Sequence, residues 1–297
     1  MEQVSLEIPG GSIARGGSAK ILSRSATILL LMPLALLLAI GFVYPLLQLV
    51  KISLFTPEFG IESYRRILNE PLYLLVLLRT FMVAFCVMVL CLVGGYPVAF
   101  AMSRLKGRSA ALVAACVLIP LWTSVLIRSY AWIVLLQRNG IINSALLDAG
   151  LVSEPLKLIY TETAVIVAMA HVLMPFMILP LFSTLRSIPK DLSHAALNLG
   201  AGPLVAFLRV TLPLSTPGVF AGCVMTFILA IGFYITPTLV GGPGSMMIAT
   251  LIGQQTTVVL DWSFAAALST VLLVITLILV VAFRKTISLN KGFNGVN

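Results

Sequence analysis

The sequence predicts an all-α integral membrane protein with six transmembrane helices, and three observations predict it. Hydrophobic residues make up 60% of the 297 and charged residues only 10%, with a mean hydropathy of +1.09. A soluble domain of this length has no means of hiding so much apolar surface from water. Six runs are long enough and poor enough in charge to cross a hydrocarbon core, which takes about 20 residues at ~1.5 Å rise each. The lysines and arginines, finally, gather on alternate sides of those runs.

Residues 1–25 mix glycines, serines and scattered charges without an apolar period, and are expected to form a disordered cytoplasmic tail. The first run, Thr27 to Val50, carries no charge. It is longer than the h-region of a cleaved signal peptide, about 7–15 residues, so it is expected to stay as the first span. The second run covers Val76 to Met102, with Arg79 near its outer end. The third covers Ala110 to Leu136 and encloses Arg128, and the fourth covers Thr163 to Leu185 and encloses His171. The fifth covers Thr216 to Val240 and the sixth Phe264 to Phe283. A transmembrane domain over 26–284 and a cytoplasmic tail over 285–297 complete the chain. Cys86, Cys91, Cys116 and Cys223 all fall inside runs without a ligand set, which excludes a metal cluster and reads as four apolar-phase thiols.

With both termini in the cytoplasm, 12 of the 19 Lys and Arg lie inside and seven of the ten acids lie outside. The net charge of +9 is mostly this inside bias, so no nucleic-acid partner is implied. The outer loops carry their own order. TPEFG at Thr56 to Gly60 signals a turn, and ESYRRILNEP predicts a short surface helix ended by Pro71. In the loop Gln137 to Glu162, Asn143 or Ser144 is expected to cap a short helix that ends at Gly150, with Leu146, Leu147 and Leu151 on one face. After the fifth run, Gly241 to Gln255 reads as a tight turn followed by a short amphipathic stretch. Ordered outer loops suit a docking surface.

The loop between runs four and five, 186–215, is punctuated differently. Pro189 ends the preceding helix, and Asp191 or Ser193 is expected to cap a new one over Leu192 to Leu199 that Gly200 stops. A second short helix begins at Pro203 and runs to Val210, before Pro213 redirects the chain into the fifth span. Leu192, Ala195, Ala196 and Leu199 share a face of the first helix, and its alanines allow another surface to come close.

These residues resemble the cytoplasmic motif of the inner-membrane permease subunits of bacterial ABC importers. That motif reads Glu-Ala-Ala, three residues, Gly, nine residues, Ile, one residue, Leu-Pro. His194-Ala195-Ala196, Gly200, Val210, Leu212 and Pro213 occupy its positions, with His194 in place of the acid and Asp191 one turn earlier. The resemblance implies a type I importer permease fold, in which His194 to Pro213 form a coupling helix seated in a cleft of an ATPase subunit. It also implies two ATPase copies that use ATP and Mg, a second homologous permease, a periplasmic binding protein and an inner-membrane location. This chain itself binds no cofactor under that reading. NGIINSALL at Asn139 to Leu147, the stretch Leu158 to Leu181 and ITPTLVGGPGSMMIATLIGQQ at Ile235 to Gln255 are similar to the first permease of spermidine/putrescine-type importers. The cargo implied is a polyamine or related amine, with an opine, an amino-acid derivative or an aminophosphonate as alternatives. One departure is Gly232-Phe233-Tyr234, where a Gly-Glu-Phe pattern is expected for polyamine permeases.

Candidate path residues follow from cost. A charge in the membrane faces the bundle interior unless it reaches an interface, so Arg128 reads either as a contact for an anionic group or as a side chain paired with a helix end. His171 reads as a hydrogen-bonded packing residue or as a ligand. Tyr130, with Trp122 and Trp132, is either part of a cation-binding aromatic wall or an interface anchor. Phe233 and Tyr234 sit between Gly232 and Pro237, a weakened stretch of the kind that lines cavities. No GxxxxGK[ST] phosphate loop, paired carboxylates or nucleophile with a base appears, so neither ATP hydrolysis nor membrane-enzyme chemistry is supported. A secondary transporter would show acidic relays and repeats over more helices, and a membrane scaffold would leave the punctuated loop unexplained.

Overall fold

A computed structural model describes residues 24–55 and 59–293, with side chains over 28–55 and 59–283. Most of the expected N-terminal tail, Thr56 to Glu58 of the expected turn, and 294–297 lie outside the described residues. The described chain is helical, and its only extended pairing is an isolated bridge between Phe55 and Phe59. Among the described residues five helices are long and apolar enough to cross a membrane, and one bent pair passes the same test together, which gives six spans when the pair is counted as one. The chain divides into two units, 1–48 and 49–297.

The described part of the first unit is the helix α1, Arg24–Leu38, a π segment Ala39–Val43, and the start of α2, Tyr44–Leu54. Side chains from Ile28 to Pro45 are all exposed, as suits a span whose solvent is lipid. The π segment stands directly before Tyr44-Pro45. A proline ring removes one N–H and clashes with the carbonyl four residues back, and one wider turn accommodates it without breaking the helix.

In the second unit α3, Glu62–Asn69, is the expected surface helix. It ends before Pro71 as expected, with Glu70 extended at ψ 114, and Pro71 also opens α4, Pro71–Arg104, because a missing N–H costs nothing in a first turn. The third span is not one rod. α5, Gly107–Trp122, and the helical stretch from Val125, which begins with α6, Val125–Leu136, turn through 102° at Thr123-Ser124. Pro120 sits in the last turn of α5, and both the amide and the hydroxyl of Thr123 donate to its carbonyl, at 3.3 and 2.9 Å, which closes the helix there.

α7, Ile141–Asp148, is present, but neither Asn143 nor Ser144 caps it; Gly140 stands at its start. Asn143 is buried one turn in, donating to the carbonyls of Gln137 and Leu156 and accepting from the Leu156 amide, so it ties the whole loop together. Gly150 ends the helix as expected, with φ +68 and the Leu151 amide donating to the Leu146 carbonyl.

α8, Glu162–Ser187, is the fourth span, capped by Thr161, whose hydroxyl accepts from the Ala164 amide. α9, Lys190–Asn198, begins two residues earlier than expected, with Pro189 at its cap position. Asp191 and Ser193 are therefore inside the helix rather than capping it. Gly200, at φ +85, ends it, with the Ala201 amide donating to the Ala196 carbonyl.

α10, Pro203–Ala206, leads through a π segment Phe207–Thr211 into α11, Leu212–Ile231. The fifth span is thus Pro203–Ile231, and Pro213 does not redirect the chain. The cause is the same as at Pro45: the π turn widens the helix directly before the proline. At the other end the expected span is too long, since Gly232 to Tyr234 break the helix and α12, Ile235–Val240, is separate. α13, Ile248–Gln254, follows the tight turn at Pro243–Ser245, and α14, Trp262–Phe293, carries the sixth span and continues past its expected end at Phe283.

The core is three helices deep. Val83, Val87 and Cys91 of α4 meet Met169, Leu173, Met177 and Leu181 of α8, and α8 packs in turn on α11. A second cluster joins Ile67, Tyr73, Ile248, Phe264 and Leu268, where α3, α13 and α14 meet the start of α4. There Arg66 lies 4.4 Å from the Phe264 ring centre and pairs with Glu70 at 3.3 Å and Asp261 at 3.7 Å.

Candidate functional site

Two places gather the residues singled out in the sequence. The first is the surface built by α9 and α10. No residue of α9 is buried; Asp191, His194 and Ala195 are exposed and Ala196 is half-buried. Leu199 is 89% exposed and Leu204 69%, so the two helices present open leucines that the chain itself does not cover. Leu212 and Pro213 do not join this surface; they form the first turn of α11, and the motif therefore runs from a free helix into a span.

Side-chain contacts tie the π segment and the start of α11 to α4. Phe207, in the π segment, packs edge-on against Tyr96 at 5.8 Å and Phe100 at 5.4 Å of α4. The Tyr96 hydroxyl is 2.8 Å from the Ser215 hydroxyl of α11, a further tie between α4 and the fifth span.

The second place lies inside the membrane domain, at the bend between α5 and α6. Arg128 turns back on the bend and donates through Nη2 to the Thr123 carbonyl at 3.4 Å, closing a helix end. Its Nε and Nη1 are buried without a hydrogen-bond partner. Trp132, one turn along α6, donates from Nε1 to His171 Nδ1 of α8 at 3.2 Å. His171 is the one ionisable nitrogen base lining an apolar cavity of about 360 Å³ between α4, α5 and α8. Tyr130 is not part of this group. It is exposed and two residues from Arg128, a spacing that places side chains on different helix faces.

Phe233 and Tyr234 lie in the break between α11 and α12, as the weakened stretch predicts. Phe233 packs against the main core, whereas the Tyr234 ring rests on Gly253 of α13 so closely that a β-carbon there would lie 2.5 Å from it. The two halves of the region are joined by residues that the sequence did not single out. Ser129 and Thr236, both buried, bring their hydroxyls to 2.9 Å and fasten α6 to α12. Thr80 of α4 similarly accepts from the Ile248 amide at 2.8 Å. The available signal was a hydroxyl within an apolar run, which is a packing residue until its partner is known.

Comparison with known proteins fits this geometry. Residues 20–287 match the family described as the binding-protein-dependent transport system inner membrane component. The chain is 36% identical over 234 residues to the spermidine/putrescine transport system permease protein PotB of Escherichia coli K12, covering 78% of this chain and 85% of that one. PotB of Haemophilus influenzae is also 36% identical over 234 residues, covering 79% and 80%. The inner membrane ABC transporter permease protein YdcU of Escherichia coli K12 is 32% identical over 244 residues, covering 77% and 76%. In solved structures, a chain of a bacterial ABC transporter that imports alginate superposes with a TM-score of 0.70 at 17% identity, covering 88% of this chain and 94% of that one. Sequence and fold agree: this chain belongs to the family of inner-membrane permease components of binding-protein-dependent transport systems.

Proposed function

We propose that the chain is the permease subunit of an ATP-driven importer that carries a polyamine, such as spermidine or putrescine, from a periplasmic binding protein into the cytoplasm. The observation that carries this reading is the 36% identity to the Escherichia coli PotB over most of both chains. Two copies of an ATPase subunit supply the energy, and each permease offers its α9 and α10 surface to one of them. His194, Ala195 and Ala196 face the ATPase cleft, Asp191 stands at the positive start of α9, and Gly200 fixes the exit angle. A second homologous permease completes the path, and both termini face the cytoplasm, in accord with the charge bias. Arg128, His171, Phe233 and Tyr234 line the path, with Tyr130 at its edge.

The test is uptake of labelled spermidine by proteoliposomes holding the complete transporter, supplied with ATP inside and binding protein outside. ATP-dependent accumulation supports the reading. Binding protein that delivers no polyamine, with normal assembly, would sink it.

A second reading rests on Arg128. Two unpartnered guanidinium nitrogens in a span suit a carboxylate better than a second cation. A carboxylate-bearing amine, such as an opine or an amino-acid derivative, is then the cargo. Competition settles the choice: under the second reading, excess opine blocks labelled uptake and putrescine does not.

A further inference from the structure

At the end of the bundle that carries α9, the last turn of α4, the start of α5 and the end of α8 diverge around a cavity of about 700 Å³. That volume lies within the ~300–1,000 Å³ of ligand sites. Its mouth is ringed by Arg104, Lys106, Arg186 and Lys190, and no Asp or Glu lines it. None of these four has an ion pair among the described residues, where Arg66 at the far end of α4 makes the pairs found. Arg104 and Arg186 are held over the Phe100 and Phe182 rings, 5.2 and 5.7 Å from the ring centres, and both rings line the cavity. Asp191 is exposed and outside the lining.

Two further features raise the positive potential. The starts of α5 and α9 both open at the mouth, and neither has a side-chain cap, so their first-turn N–H groups add two positive helix ends. The Ser193 hydroxyl, on the cavity wall, is buried and has no hydrogen-bond partner. Deeper in, the character changes. Ala110, Ala114 and Leu118 of α5 face Leu179 of α8, giving an apolar wall that leads away from the charged mouth into the membrane domain.

We propose that this cavity binds an anionic phospholipid. The phosphate lies among Arg104, Lys106, Arg186 and Lys190 and accepts from the Ser193 hydroxyl, while an acyl chain lies along the α5 and α8 wall. A free phosphate would satisfy the mouth but leave that wall in water, whereas a lipid covers both. The site touches the base of α9, so an occupied cavity braces the helix that α9 and α10 offer to a partner. The inference depends on the membrane placement of the chain and on no choice of cargo, so its failure leaves the polyamine reading intact.

The test uses the complete transporter, purified in detergent and stripped of lipid. It is exposed separately to phosphatidylglycerol, phosphatidylcholine, glycerophosphoglycerol and inorganic phosphate, and retained molecules are counted by native mass spectrometry. Phosphatidylglycerol is expected to be retained at least tenfold over phosphatidylcholine. The double substitution Arg104→Gln/Arg186→Gln should lower its retention by about 30-fold, as for two cations at a membrane surface. Lys106→Gln/Lys190→Gln repeats the test with side chains that pack on no aromatic ring. Ala114→Trp, which fills the apolar wall and leaves every charge in place, should also abolish retention. Equal retention of the two lipids, retention unchanged in both double variants, or saturation by inorganic phosphate or glycerophosphoglycerol without lipid would overturn the proposal.

Discussion

Ser129 carries more of the site than its sequence suggests. It lies beside Arg128, it is fully buried, and its hydroxyl meets Thr236 across the interface between α6 and α12. Ser129→Ala leaves the Thr236 hydroxyl buried with no partner in an environment that offers no water. The expected loss is about 0.6–1.7 kcal/mol, the range of interhelical hydrogen bonds in membranes, and thermal unfolding in detergent should show a lower Tm. An unchanged Tm would mean that Thr236 finds another acceptor. His194 is the contrasting residue. It is exposed on α9, outside any cap, with no hydrogen bond or ion pair among the described residues. His194→Glu restores the acid that the resembling motif carries, and uptake by reconstituted transporter should stay within about twofold, below the ~1 kcal/mol that a typical side-chain contact contributes. Loss of uptake with normal insertion would show that the imidazole makes a contact that a carboxylate does not.

Among the elements, the pair α8 and α11 sets how tightly the core closes. A β-carbon at Gly218 would lie 2.6 Å from the Thr184 hydroxyl oxygen and 3.0 Å from the Pro180 carbonyl oxygen; at Gly222 it would lie 2.7 Å from the Met177 sulfur and 3.0 Å from its carbonyl. The four-residue spacing puts both glycines on one face, and small residues there let helix backbones meet. Gly222→Leu must push α11 off α8, costing about 1–3 kcal/mol as an overpacked core, read as a fall in Tm and in the yield of assembled transporter. A Tm within experimental error of the parent would show that Met177 moves aside and that the helices are not in close contact. The elements also show where sequence reading stops. Long apolar runs announce α4, α8 and α14 because lipid demands them, whereas the bend at Thr123-Ser124 depends on Pro120 acting together with local hydrogen bonds. Pro120 breaks its helix, but Pro213 does not, since the π segment absorbs it. Proline content alone cannot separate these outcomes.

At the scale of the whole molecule, the short helix α9 and the glycine that ends it were legible and the intramembrane group was not, for one physical reason. The α9 motif is local: its glycine, alanines and prolines lie within one loop, so spacing expresses their geometry. Trp132 and His171 lie 39 residues apart, and Ser129 and Thr236 lie 107 apart, so only tertiary packing pairs them. Arg128 illustrates the difference, being conspicuous as a charge in a span while its Thr123 partner becomes apparent only once the bend exists. The same argument makes orientation testable, since the charge bias alone places the two loop families on opposite sides. In a variant with Cys86, Cys91, Cys116 and Cys223 replaced by Ala, single cysteines are introduced as Ser144→Cys on α7 and Leu199→Cys beyond α9, both exposed positions. A membrane-impermeant maleimide should label Ser144→Cys in spheroplasts and Leu199→Cys only after the membrane is opened. The reverse pattern would put α9 outside, where no ATPase could reach it, and the import mechanism would fall together with the topology. Labelling of both positions without opening would instead place them on one side and refute α8 as the single crossing between them.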